Sequence, residues 1–101
     1  IQLNPCWAPI GAQRFEDLTV QQFWDDARIF RVVPNFVSQF GLSSYPSIQN
    51  AWTAMGPIDD DPVVASNTRG TVTFASAGKR TRTTQIFINT KDNTFLDDEG
   101  F

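Results

Sequence analysis

The hydrophobic pattern of this chain predicts one amphipathic helix followed by a strand. From Ala12 to Phe23 the apolar positions approximate one face of a helix. Glu16 and Asp17 lie in its early turns, where the helix dipole favours negative charge. From Ala27 to Val33 apolar residues occupy both faces, which is typical of a strand covered on both sides.

Two more strands are predicted in the second half of the chain, from Thr71 to Ala75 and from Gln85 to Asn89. In the second of these, Ile86 and Ile88 share one face, because alternate residues of a strand point the same way. A further strand is expected to end at residues 1–3. The whole pattern predicts a mostly β fold with one or two helices, compatible with an antiparallel barrel capped by helices.

The segment from Leu42 to Thr68 has little periodicity and is rich in Ser, Pro, Gly and Asp. We expect it to form a long excursion over the surface. Trp52 and Met55, three residues apart, would anchor a short helical turn within it. Trp52 would either pack over the sheet or dock a partner protein.

Composition limits the classes of function. The chain has 101 residues, which is enough for one domain, and 41% of them are apolar, which is enough for a core. Its formal net charge of −3 argues against a nucleic-acid or anionic-membrane partner. No apolar run approaches the roughly 18 residues that a membrane span needs. The lone Cys6 excludes an internal disulfide.

The chain lacks the residues that several kinds of catalytic chemistry need. The chain contains no histidine, which removes Ser-His-Asp and Cys-His systems and most zinc sites. It has neither a Walker loop nor a GxGxxG motif, so no nucleotide cofactor is expected. The acidic runs at residues 59–61 and 97–99 lack the spacing of a calcium loop and are predicted to be solvated turns.

The segment from Phe30 to Gly41 carries the candidate chemistry. Arg31 is a permanent cation with a rigid fork of donors, and Val33 shares its face if the segment is a strand. Pro34 and Asn35 indicate a turn, after which Phe36 and Gln39 lie one turn apart if that piece is helical. A cation, an aromatic ring and an amide around an apolar floor would suit a proline flanked by carbonyl groups.

Three blocks occur in order along the chain: FRVVPNFVSQFG, RGTVTFASAG and TQIFINT. Together they resemble the cyclophilin-type peptidyl-prolyl cis-trans isomerases, and the upstream segment WAPIGAQRF matches the first helix of that family. The resemblance covers nearly the whole chain and implies one cyclophilin-like domain over residues 1–101. The implied fold is an antiparallel β-barrel capped by helices, here without its first and last strands. We therefore expect a portion of a longer protein; the alternative is a natural mini-domain.

The resemblance also implies roles for individual residues. Arg31 matches the catalytic arginine of the family, although it would otherwise form a surface ion pair. Phe36 and Gln39 complete the catalytic set, and Phe36 and Phe87 would otherwise be plain core residues. The residues implied in substrate binding are Ala75, Ser76, Gln85, Phe87, Phe95 and Leu96.

Some positions depart from the family pattern. Phe95 stands where human members carry a tryptophan that donates to cyclosporin, and phenylalanine has no N–H donor, so weak cyclosporin binding with retained catalysis is expected. Ser76 replaces a usual asparagine, which would preserve a main-chain contact with a peptide. The loop around Thr81 is basic instead of Gly-rich, and it would either favour acidic residues before proline or be solvated charge.

The function that the resemblance implies is rotation about X-Pro peptide bonds in proline-containing peptides or unfolded proteins. This reaction needs no cofactor, metal or proton shuttle, so the absence of histidine is compatible with it. The alternative is a cyclophilin-fold binding module that serves as a structural subunit of a larger assembly, with little or no isomerase activity. Neither function involves nucleic acid or a membrane span.

Overall fold

The computed structural model describes all 101 residues, and at its centre lies one four-stranded antiparallel sheet. The strands lie side by side in the order β1-β2-β4-β3. Their bounds are β1 Arg31–Val33, β2 Val37–Phe40, β3 Val72–Phe74 and β4 Ile86–Asn89. Three helices accompany the sheet: α1 Pro9–Val20, α2 Pro46–Met55 and a 3₁₀ helix at Thr94–Glu99.

Helix α1 confirms the predicted amphipathic helix but begins and ends three residues earlier. Pro9 opens it, because a first helical residue needs no N–H donor. The carboxylate of Asp61 accepts the N–H groups of Ile10 and Gly11 at 3.1 and 2.7 Å, and so satisfies amides that the helix leaves free. The chain turns out of the helix before Phe23, which is buried beyond its end.

Strands β1 and β2 form a hairpin around Pro34 and Asn35, so the predicted turn is confirmed. Asn35 has φ 56°, a left-handed conformation that asparagine tolerates better than most residues. The segment after the turn is a strand, so the helical conformation considered for Phe36–Gln39 was wrong. Strand β1 is also shorter than predicted, because regular pairing begins only at Arg31.

Strand β2 ends at a position that only glycine fits. Gly41 has φ +113°, and a Cβ atom there would lie 2.3 Å from the carbonyl oxygen of Thr84. Both the backbone conformation and the contact exclude a side chain. The close approach lets the hydroxyl of Thr84 donate to the carbonyl oxygen of Gly41 at 2.8 Å, which ties β2 to the start of β4.

The long excursion contains a ten-residue helix, α2, where only a short helical turn was predicted. Its Trp52 is buried and packs with Leu18 and Phe23 in an apolar cluster. The guanidinium of the buried Arg14 lies 5.6 Å from the Trp52 ring centroid and donates to two backbone carbonyl groups. Trp52 therefore packs inside this domain instead of presenting its ring to a partner.

The fold contains both helices and strands, and the prediction of a mostly β fold overestimated the share of strand residues. Helical residues outnumber strand residues, because α2 and the 3₁₀ helix arise where the pattern indicated loops and the strands are only three or four residues long. No strand forms at residues 1–3, and the sheet is open, with β1 and β3 at its edges. No helix has the length and apolarity that crossing a membrane requires.

Each face of the sheet meets its own apolar cluster. Ile86 on β4 is paired with Phe40 on β2 and with Phe74 on β3, and these side chains point toward α1. Trp24, which follows α1, packs edge-on against Phe40, with the ring centroids 5.6 Å apart. The opposite face carries a second cluster of Val37, Phe87 and Leu96. The candidate site lies on this second face.

Candidate functional site

Strand register brings the main candidate residues onto one face of the sheet. Arg31 on β1 is paired with Gln39 on β2, and Gln39 is paired with Phe87 on β4. Directly paired residues of antiparallel strands point to the same side, so the cation, the amide and the aromatic ring form a row. The hairpin thus joins Arg31 and Gln39, which are 8 positions apart, and the pairing of β2 with β4 adds Phe87, 48 positions beyond Gln39.

Hydrogen bonds orient the cation of this row. Nη1 of Arg31 donates to Oε1 of Gln39 at 3.2 Å, and Nε2 of Gln39 donates to Oε1 of Gln85 at 3.0 Å. Arg31 forms no ion pair, since the ion pairs of the structure involve Arg80 and Arg82. The alternative of a surface ion pair at Arg31 is therefore not what the structure contains. Its remaining donors are available to a bound molecule.

A cavity of about 170 Å³ opens beside this row. Its floor is the apolar cluster of Val37, Phe87 and Leu96, and Arg31 and Gln39 supply its polar edge. The complete lining is Arg31, Phe36, Val37, Gln39, Ala75, Ser76, Phe87, Leu96 and Phe101. Seven of the nine predicted site residues thus meet at one cavity.

The other two predicted site residues lie next to the cavity without lining it. Gln85 stands behind Gln39 and holds its amide. Phe95 is 54% exposed and stacks on Phe36, with ring centroids 5.8 Å apart and planes 20° from parallel. The roles of all nine residues toward a substrate stay predictions.

Phe101 is a lining residue that the sequence did not single out. Its ring meets Phe87 edge-on at 5.9 Å, and its N–H donates to the carbonyl oxygen of Leu96 at 3.1 Å. Gly100, at φ 87°, ends the 3₁₀ helix and turns the chain back toward the cavity. The available signal was this glycine directly before an aromatic residue, five positions after Leu96.

The end of edge strand β3 borders the cavity. The N–H of Ala75 donates to the carbonyl oxygen of Gln85 at 2.9 Å, so Ala75 extends the ladder by one residue. Ala75 and Ser76 are half-buried and line the opening. Because β3 has a neighbour on one side only, its outer edge is the place where an extended peptide could add to the sheet.

Two arginines of the basic loop beside this edge form ion pairs with the first acidic run. Arg82 pairs with Asp60 and also donates to the carbonyl oxygen of Gly100 at 2.6 Å. Arg80 lies 3.4 Å from Asp59 in an exposed pair. The expectation that residues 59–61 are a solvated turn was therefore wrong: Asp59 and Asp60 pair with arginines about 20 residues further along the chain, Asp61 caps α1 about 50 residues earlier, and no local pattern reports such contacts.

Asp97 in the second acidic run is also structural. Its carboxylate accepts the hydroxyl of Ser66 at 2.6 Å and both the side-chain and backbone N–H groups of Asn67 at 2.7 and 2.9 Å. These hydrogen bonds, that of Ser66 first, lower the pKa of Asp97 below its usual value. The contact fixes the 3₁₀ helix, which carries Leu96, against residues 66–67.

Chemically, the site offers hydrogen-bond donors at the edge of an apolar hollow. No group of three or more His, Cys, Asp or Glu side chains is placed to hold a metal ion. The features present are a guanidinium fixed by an amide, a floor of apolar side chains and a half-paired strand edge. Such an arrangement can bind an extended peptide and hold one apolar ring against the cation.

Comparison with known proteins places the chain in a family. The family model described as cyclophilin type peptidyl-prolyl cis-trans isomerase/CLD matches residues 1–100. The chain belongs to this cyclophilin family. The resemblance carried by the three sequence blocks is thereby confirmed.

Curated relatives are similar over most of the chain. A peptidyl-prolyl cis-trans isomerase of Acinetobacter baylyi is 36% identical over 98 residues, which are 95% of this chain and 51% of that protein. Peptidyl-prolyl cis-trans isomerase A of Dickeya dadantii is 34% identical, covering 89% of this chain and 47% of the relative. Peptidyl-prolyl isomerase CWC27 of Mycosarcoma maydis is 29% identical over 87% of this chain and 19% of its own length. The chain thus spans about half the length of the two bacterial isomerases that it matches.

Proposed function

We propose that the protein is a peptidyl-prolyl cis-trans isomerase that rotates X-Pro bonds in peptides and unfolded proteins. The observation that carries the proposal is the position of Arg31, which lines an apolar cavity while Gln39 holds its guanidinium. Family membership and the names of the bacterial cyclophilins support the same activity. No cofactor enters the reaction.

The size of the cavity supports proline as the bound residue. Its volume of about 170 Å³ is below the about 300–1,000 Å³ that is usual for sites of drug-sized ligands. Such a cavity suits one small apolar side chain, and the pyrrolidine ring would lie on Phe87 and Leu96 between the walls of Phe36 and Phe101. The rest of a peptide would extend along Ala75 and Ser76 at the edge of β3.

The proposed mechanism weakens amide resonance without moving a proton. Resonance in the X-Pro bond opposes rotation, and the uncatalysed reaction takes tens to hundreds of seconds. An increase from roughly 0.01 to roughly 10 turnovers per second requires about 4 kcal/mol. A donor from Arg31 directed at the prolyl nitrogen favours its pyramidal form, and charge-assisted hydrogen bonds are strong enough to supply that stabilisation. The apolar floor favours the less polar, twisted amide.

The open sheet is proposed to be one part of a cyclophilin barrel, with residues 1–101 belonging to a single domain. Val32 supports this arrangement, since 63% of its side chain is exposed on the sheet face that otherwise packs against α1. Further strands that continue the sheet beyond β1 and curve over this face, as in a barrel, would cover it. A barrel would also protect the unpaired edge of β1.

The isomerase proposal is tested by Arg31→Ala in the whole protein. Loss of the guanidinium is expected to lower kcat/KM at least tenfold in a protease-coupled assay with a proline peptide, while circular dichroism stays unchanged. Arg69→Ala is the matched control, because the Arg69 side chain is exposed and lies outside the cavity. An unchanged rate for Arg31→Ala would refute the proposed role.

The second candidate is a cyclophilin-fold subunit of a larger assembly. The observation that favours it is a set of exposed apolar side chains along the excursion, at Met55, Val63 and Val64. Trp52 does not contribute, because it is buried. An assembly role predicts that Met55→Ser weakens partner binding while Arg31→Ala leaves it intact, and size-exclusion chromatography of both variants with the partner distinguishes the two functions.

A further inference from the structure

Three buried asparagines form a continuous chain of hydrogen bonds beneath the cavity. Asn67, Asn89 and Asn93, called here the asparagine chain, are 3%, 0% and 2% exposed. Buried amides are costly unless every donor and acceptor finds a partner. No buried side-chain nitrogen or oxygen in this structure lacks one.

The two ends of the asparagine chain hold opposite walls of the cavity. Nδ2 of Asn93 donates to the backbone carbonyl oxygen of Phe36 at 2.9 Å, and that oxygen also accepts the N–H of Thr90 at 3.0 Å. Nδ2 of Asn67 donates to the backbone carbonyl oxygen of Phe101 at 3.0 Å. Phe36 and Phe101 both line the cavity.

The middle of the asparagine chain links these ends. Nδ2 of Asn93 donates to Oδ1 of Asn89 at 2.9 Å, and Nδ2 of Asn89 donates to Oδ1 of Asn67 at 3.2 Å. The backbone N–H of Asn93 also donates to the carbonyl oxygen of Asn67 at 2.7 Å. The hydroxyl of Thr73 donates to Oδ1 of Asn67 at 2.6 Å, which anchors the asparagine chain to β3.

Stability alone does not require this arrangement. Replacing both partners of a buried hydrogen bond by apolar groups of the same shape is often close to neutral. A fully paired polar network differs from an apolar core in fixing one geometry, because each amide has few favourable orientations. This network fixes the placement of Phe36 and Phe101, two aromatic walls of the cavity that belong to different segments of the chain.

We propose that the asparagine chain sets the distance between Phe36 and Phe101, and thereby the width of the cavity that receives the prolyl ring. The inference rests on the proposed isomerase function. Asn67, Asn89 and Asn93 act as positioning residues, since none of them lines the cavity. A wider cavity would hold proline less firmly against Arg31 and would admit a larger ring.

The test uses Asn89→Leu in the whole protein, because Asn89 contacts neither wall directly and leucine is similar in size. We expect kcat/KM for a proline peptide to fall at least fivefold. Selectivity for proline over its six-membered homologue, pipecolic acid, is expected to fall at least threefold. Loss of stability alone would not change that selectivity. Asn93→Ala, which removes the bond to Phe36, is expected to give the same change of selectivity if Asn89→Leu fails to fold.

Thr84→Val is the matched control, since it removes one buried hydrogen bond on the same sheet without touching a wall. It is expected to keep the selectivity of the unmodified protein. Folded asparagine variants with unchanged kcat/KM and unchanged selectivity would overturn the inference.

If the unmodified protein lacks isomerase activity, the proposed function fails and the inference is decided by NMR. In that case, Asn89→Leu should shift the ring-proton resonances of both Phe36 and Phe101, and Thr84→Val should not. Unshifted rings would overturn the inference, whereas shifted rings would support it.

Discussion

Arg31 lies at the boundary between solvent and the apolar cavity, and this position governs what its charge can do. Its backbone is fixed by pairing with Gln39, and its Nη1 atom is held by the amide of the same residue. A peptide lying over the cavity would exclude water from the guanidinium and strengthen its hydrogen bonds. Lysine would not replace it well, because an ammonium group lacks the planar fork that the amide orients.

At the residue scale, Phe95→Trp tests the expected weakness of cyclosporin binding. Phe95 is exposed and stacks on the outer side of Phe36, so an indole there would add an N–H donor at the rim without filling the cavity. Calorimetry is expected to show cyclosporin affinity at least tenfold tighter, with kcat/KM for a proline peptide within threefold of the original value.

Phe30→Trp serves as the comparison, since Phe30 is also exposed and does not contact Phe36. It should leave cyclosporin affinity unchanged. Equal affinities for the original protein and for Phe95→Trp would contradict the expectation, as would nanomolar binding by the original protein.

The position of the 3₁₀ helix depends in part on a single charge, that of Asp97. It carries Leu96 into the cavity floor and presents Asp97 to Ser66 and Asn67. These donors favour the ionised carboxylate and lower the pKa of Asp97. Protonation would weaken the contact between this helix and residues 66–67.

Asp97→Asn should therefore change how stability depends on pH. The pKa of Asp97 is lower in the folded than in the unfolded protein, so its contribution is present above the unfolded value of about 3.9 and is lost as pH falls through the folded value. In urea denaturation, the variant is expected to be less stable than the original at pH 7, with the difference shrinking below about pH 4. Asp98→Asn, at an exposed residue of the same helix, should show no such trend. A difference independent of pH would contradict this assignment.

Helices and strands were predictable where a repeated apolar pattern in the sequence packs against a continuous core. Helix α1 and the strands around Val72 and Ile86 fulfil that condition, and the sequence places them within a few residues. Helix α2 meets only the first half of that condition: Ile48, Ala51, Trp52 and Met55 have the spacing of an apolar helix face, but only Trp52 is buried, and the Ser, Pro and Gly residues around the helix indicated a loop. Contacts such as that between Ser66 and Asp97 join residues 31 positions apart, and no local pattern reports them.

At the scale of the whole molecule, the sheet separates two apolar clusters. Leu18, Phe23 and Trp52 pack on the side of α1, whereas Val37, Phe87 and Leu96 form the floor of the site. Most of the site could be predicted, because the short hairpin holds Arg31, Phe36 and Gln39 and the resemblance to the cyclophilin family supplied the residues from β3 onward. Phe101 could not, since its arrival at the cavity depends on how the 3₁₀ helix packs against Asn67.

Because the sheet separates the two clusters, a substitution that destabilises the cluster of Leu18, Phe23 and Trp52 is expected to leave the activity of the site unchanged. Leu18→Ala would remove a fully buried side chain, at a cost of about 2–5 kcal/mol in the free energy of unfolding. Differential scanning fluorimetry should show a melting temperature lower by roughly 10 °C or more. The kcat/KM per folded molecule should stay within twofold. Val20→Ala, at a site 70% exposed on the same helix, should change neither quantity. A fall in kcat/KM in proportion to the lost stability would contradict the separation.

The close approach between Gly41 and the backbone of Thr84 leaves room for glycine alone at this position. Even the methyl group of alanine would collide with the backbone of Thr84, so every substitution of Gly41 is expected to disturb the fold. The neighbouring Phe40 has no such backbone constraint, because its φ is not left-handed and its side chain meets the ring of Trp24. Selection is therefore expected to retain glycine at position 41 while the residue at position 40 varies.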